Sequence, residues 1–95
     1  MFTVYILFSE KLNRFYIGQT QDLDARIFQH NSGFFADSYT SIASDWKLKL
    51  TINCVSRMEA LKIETFIKKM KSKKFIESII SDNQKLNQIL SKLRD

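Results

Sequence analysis

Five side chains in this sequence are of types that exchange protons or hold ions, and they stand beside apolar stretches instead of inside polar runs: Tyr5, Tyr16, Arg26, His30 and Glu64. A phenol ionises near pH ~10 and an imidazole near ~6.5, so the single histidine is the best suited of them to exchange a proton around neutrality. A guanidinium offers a planar fork of donors to an oxyanion, and a carboxylate is a natural partner for a cation. Each also has a plain structural reading. Arg26 can lay its stem along a core edge, His30 can be a partly buried, hydrogen-bonded residue, and Glu64 can pair with Lys68 one helical turn on. One further feature is collective. Between Lys62 and Lys74 lie six lysines and one acid, Glu64, a local excess of +5 that equals the net charge of the whole chain. Charge so concentrated leans towards an anionic partner.

The apolar pattern says which elements carry these groups. Thr3-Val4-Tyr5-Ile6-Leu7-Phe8 and Phe15-Tyr16-Ile17-Gly18-Gln19-Thr20 are β-branched and aromatic, with a polar stretch between them, and predict a hairpin. Alternation points Tyr5 with Thr3 and Leu7, and Tyr16 with Gly18. Gly18 marks either a close backbone approach or a strand-end kink. Leu23 to Asn31 predicts a short helix, with Asp22 as N-cap and Gly33 as its stop. Leu23, Arg26, Ile27 and His30 share one arc of it. A connection from Phe34 to Asp45 carries Phe34, Phe35 and Tyr39; connections this long are often functional, although aromatics there pack satellite clusters equally well. Trp46 to Val55 then alternates as a third strand, with Trp46, Leu48, Leu50, Ile52 and Cys54 on one face. Ser56 and Glu59 fit a capping box for a helix to Met70, whose apolar arc is Ala60, Ile63, Phe66, Ile67 and Met70, with Glu64 at its edge. Ser72 to Ser81 predicts another helix, and residues 82–95 a helical tail that extends it or packs as one more turn.

The 95 residues predict one domain, 1–95, with a modest core. No apolar run reaches the ~20 residues that span a bilayer, and no signal-peptide pattern opens the chain, so no membrane role is expected. The lone Cys54 reads as a core thiol in a reducing, cytoplasmic setting.

Tyr16-Ile17-Gly18 is a complete YIG tripeptide, and Thr3-Val4-Tyr5, with its tyrosine eleven positions earlier, resembles the GIY half of the GIY-YIG nuclease motif, although Thr3 and Val4 replace its glycine and isoleucine. The rest of the pattern follows in order: Arg26 on the first helix, His30 one turn later, and Glu64 on the helix after the third strand. The sequence therefore resembles small single-domain GIY-YIG nucleases from about Val4 to Lys74. The resemblance implies an α+β fold, a three-stranded antiparallel sheet made of the N-terminal hairpin plus a third strand and flanked by helices. It also implies metal-dependent phosphodiester cleavage, with one divalent ion, Mg²⁺ or alternatively Mn²⁺, on Glu64. Arg26 would clamp non-bridging oxygens. Tyr5 would be the general base, its phenol lowered by neighbouring cations, with Tyr16 positioning the water or a phosphate oxygen and His30 sharing or relaying the proton. Ile17 and Gly18 complete the structural motif. The family's last-helix asparagine and its lysine before Tyr39-Thr40 have no clear counterparts here.

The first expectation is thus a DNA endonuclease, structure-selective or repair-related, with Lys68, Lys69, Lys71, Lys73 and Lys74 gripping the phosphate backbone. A protein partner or a homodimer would supply targeting if the domain alone does not. The alternative is a DNA-binding module that keeps the fold and lacks catalysis. A third reading makes the aromatic connection and the tail a protein-interaction surface.

Overall fold

The structure, a computed structural model, describes residues 1–32 and 42–94. Phe2–Ser9 (β1) and Arg14–Thr20 (β2) pair antiparallel, and Asn13 takes the left-handed region in the turn between them (φ 54°), where a short polar side chain is tolerated. Lys47–Cys54 (β3) pairs antiparallel with the other edge of β1, giving the order β2-β1-β3. The helices are α1 (Leu23–Asn31), α2 (Arg57–Met70), α3 (Lys73–Ser81) and α4 (Asn83–Leu93). Among the described residues no helix is long and apolar enough to cross a membrane.

The sheet is covered on both faces. Val4, Ile6, Ile17, Ile52 and Cys54 form the main core with Ala60, Ile63 and Ile67 of α2, Ile76 and Ile79 of α3, and Leu86 and Leu90 of α4. Tyr5 and Leu7, on the opposite face of β1, pack with Trp46 and Ala43 under Leu23 and Ile27 of α1. The fold is the α+β arrangement expected, a three-stranded antiparallel sheet flanked by helices.

Three details differ from the sequence pattern. Ile6 pairs with Leu50 but Leu7 pairs with Leu48, so Lys49 is an extra residue in β3 and the side-chain alternation flips there. Ile52 and Cys54 therefore enter the main core while Trp46 enters the α1 side, and Leu48 is left 42% exposed. Met70, placed on the apolar arc of α2 by periodicity, is exposed at the last turn. The tail is neither an extension of α3 nor a single turn: Asp82 ends α3 and caps α4, its side chain accepting from the Lys85 amide. Gly33 and the aromatics Phe34, Phe35 and Tyr39 lie outside the described residues.

Candidate active site

The β1–β2 register decides where the phenols go. Tyr5 faces Gly18 and Leu7 faces Tyr16, so both tyrosines project on the α1 side, with ring centroids 6.3 Å apart. Gly18 is buried, and a Cβ there would stand 2.6 Å from Tyr5 Oη and 2.8 Å from Cζ. The close approach is therefore to the Tyr5 ring itself. The Thr20 hydroxyl accepts from the Asp22 amide and donates to the Asp22 carbonyl, and the Asp22 side chain accepts from the Ala25 amide, so the end of β2 launches α1 directly. This start places His30 in the last turn, buried, with Nε2 2.9 Å from Tyr5 Oη in a hydrogen bond. The imidazole also lies against Tyr16 (4.8 Å between centroids), and Trp46 meets Tyr16 edge-on. Asn31 fixes Trp46 by accepting from its amide and donating to its carbonyl.

Electrostatics inside this cluster correct one expectation. The Tyr5 phenol is held well above its ordinary value, first by burial and then by the neighbouring Tyr16 phenol; Arg26 pulls it down and Glu64 pushes it up, but burial wins. A phenol lowered by its surroundings is not what the protein presents. His30 moves the other way: burial, with the positive charge of Arg26 in second place, lowers its pKa. Near neutrality the pair is a protonated phenol bonded to a neutral imidazole. Arg26 is half-buried and close enough to act on both groups.

Glu64 comes from the other side of the sheet. Gln19 pairs with Val4 in the register and so points towards α2, where its Nε2 donates to Glu64 Oε1 at 3.0 Å. Lys68 Nζ sits 2.6 Å from Oε2, so the i,i+4 pair does form, yet the glutamate side chain is only 14% exposed. Its charge reaches the Tyr5 phenol. Among the described residues no three of His, Cys, Asp and Glu converge, so an ion held at Glu64 would take most of its ligands from water or a substrate phosphate. A hard carboxylate oxygen suits a divalent ion that keeps most of its water, although here one oxygen already holds the Lys68 ammonium.

The lysine run does not share one surface. Lys68, Lys71 and Lys73 border a groove of about 720 Å³ that Tyr16 also lines, whereas Lys69 lines a different groove with Lys62 and Met58. Lys74 is exposed in the first turn of α3. Arg14 and Asn13 complete the first groove, and Lys73 donates to Asn13 across it. Gln19, Arg14 and Asn13 are the residues that sequence reading did not single out. Strict alternation from Tyr16 and Gly18 puts Gln19 on the opposite face, a signal that gains meaning only once α2 is known to cover that face.

A family model described as the GIY-YIG catalytic domain matches residues 1–77. The solution NMR structure of the UPF0213 protein BH0048 from Bacillus halodurans is similar at 33% identity and a TM-score of 0.53, covering 85% of this chain and 84% of that one. No curated protein matches.

Proposed function

The chain belongs to the GIY-YIG family, a nuclease superfamily, and from that premise we propose that it is an endonuclease that hydrolyses DNA phosphodiester bonds with one divalent ion, Mg²⁺ or Mn²⁺, held by Glu64. The observation that carries the reading is the buried Tyr5–His30 hydrogen bond, for which Gly18 leaves the room. A phenol held above its ordinary value is a poor free base, but it is a good relay. A water attacking phosphorus loses a proton to Tyr5 Oη while the phenolic proton passes to His30 Nε2, so no phenolate accumulates. This requires the imidazole tautomer that carries its proton on Nδ1. The lowered pKa of His30 keeps the ring neutral and ready to accept.

Tyr16, half-buried against His30 and lining the basic groove, orients the water or a phosphate oxygen. Arg26 supplies its fork to the non-bridging oxygens, whose charge grows in the transition state. The divalent ion, when bound, supplies Lewis-acid stabilisation of the phosphate and the leaving oxygen. Arg14, Lys71 and Lys73 hold the adjoining backbone through phosphates, which positions DNA without reading its bases and favours selection by DNA structure.

The test is cleavage of supercoiled, linear, flapped and branched DNA with Mg²⁺ or Mn²⁺ by the wild type and by Glu64→Gln. The wild type is expected to cut, and the variant to lose cleavage while keeping DNA affinity. Binding without cleavage by the wild type on every substrate would make the protein a DNA-binding module instead.

A further inference from the structure

Lys68 is in two places at once. Its Nζ is 2.6 Å from Glu64 Oε2, and its side chain also lines the groove bordered by Arg14, Lys71 and Lys73. Glu64 Oε1 meanwhile accepts from Gln19 Nε2 at 3.0 Å, so each carboxylate oxygen has one partner. The two partners differ in what they do to an incoming cation. Gln19 is a neutral donor, and the oxygen it touches keeps a second lone pair. Lys68 is a full positive charge beside a carboxylate that is only 14% exposed, where screening by water is reduced.

We propose that Lys68 is the resident occupant of the cation position at Glu64, and that a divalent ion binds by exchange with its ammonium. The side chain can leave readily, being 52% exposed on a flexible stem. On leaving Oε2 it stays at the groove, where a phosphate can take it up. Metal and nucleic-acid backbone then favour one another, because the ion releases Lys68 to the phosphates and the phosphates hold Lys68 off the carboxylate, and linkage makes the coupling reciprocal. Lys68 is on this account a positioning residue that sets metal affinity. The inference rests on the reading of Glu64 as the metal ligand.

The experiment titrates Mn²⁺ into the full chain without DNA, following paramagnetic broadening of the Gln19 side-chain amide signals, which report occupancy at this carboxylate even when binding is weak. Lys68→Met keeps the apolar stem and removes the charge; it is expected to bind Mn²⁺ at least fivefold more tightly than the wild type. Lys62→Met removes an equal charge from an exposed position elsewhere on α2 and should stay within twofold. Glu64→Gln should abolish site-specific broadening. An unchanged or weaker affinity in Lys68→Met, with binding still lost in Glu64→Gln, would overturn the exchange and leave Glu64 as ligand. Broadening that persists in Glu64→Gln would remove the ligand assignment, and the exchange with it.

Discussion

Opposite Tyr5 there is space for hydrogen only. A methyl at position 18 would meet Tyr5 Oη at 2.6 Å, Cζ at 2.8 Å and Tyr16 Cε2 at 3.1 Å, and the first two belong to a rigid, buried ring. Gly18→Ala should therefore cost about 1–3 kcal/mol in denaturant unfolding, as an overpacked core does, and shift the Tyr5 ring relative to His30. An alanine variant as stable as the wild type would mean that the ring is not confined as described. His30 gives a second prediction at the same scale. Its folded pKa is lowered, so as pH falls from about 6.5 the unfolded chain takes up a proton that the folded one refuses, and stability is lost until the folded pKa is passed. Chemical denaturation from pH 7 to 5 should show a steeper loss for the wild type than for His30→Asn; parallel curves would contradict the burial argument. The side chains of this cluster are legible in the sequence because alternation and helical spacing set Tyr5, Tyr16, Arg26 and His30 beside apolar stripes. The direction of the Tyr5 shift is not legible, since it depends on how completely α1 and Trp46 enclose the ring.

The elements that hold these residues begin with local signals. Asp22, Ser56, Ser72 and Asp82 each accept from a backbone amide three residues on, which fixes the starts of the four helices among the described residues. Where the apolar pattern runs smoothly across a change of direction, the sequence hides the break even beside such a signal. The leucine spacing after Ser81 runs on smoothly, so the break at Asp82 is hidden until its backbone turns extended there. The extra residue at Lys49 leaves no mark on the alternating pattern, yet it moves Trp46 to the opposite side of the sheet and so into contact with Tyr16. The end of α2 is a third case. Lys71 takes the left-handed region (φ 46°, ψ 39°) that glycine occupies more cheaply, and its amide bonds the Lys68 carbonyl. Lys71→Gly should raise stability by about 1 kcal/mol. For a domain of this size that is a rise in Tm of roughly 4–8 °C, read by thermal melting. A lower Tm would show that the lysine side chain contributes more to the fold than its backbone strain costs.

At the scale of the whole molecule, β2 is an edge strand with half of the candidate site on each side. Tyr5, Tyr16, Arg26 and His30 belong to the face that α1 covers, while Gln19 and Glu64 meet on the face that α2 covers. On the proposed reading the scissile phosphate must meet both halves at this edge, and the groove from Tyr16 to Asn13 carries the backbone onwards past Arg14, Lys71 and Lys73. The local charge excess is plain in the sequence, but its division is not: at ~100° per residue Lys68 and Lys69 leave α2 in different directions, and only the former joins the groove. This division fixes the expected salt dependence. Without a divalent ion Lys68 stays engaged by Glu64 and three cations remain for phosphates, so log K for duplex DNA should fall against log salt with a slope of about −3, near −0.9 per phosphate neutralised. Arg14→Gln or Lys71→Gln should each flatten that slope by about 1, whereas Lys69→Gln, which removes the same charge from the other groove, should leave it unchanged. Fluorescence anisotropy across a salt series measures all four proteins alike. Equal effects at positions 69 and 71 would mean that DNA responds to the net charge of the domain and that the groove has no special part in holding it.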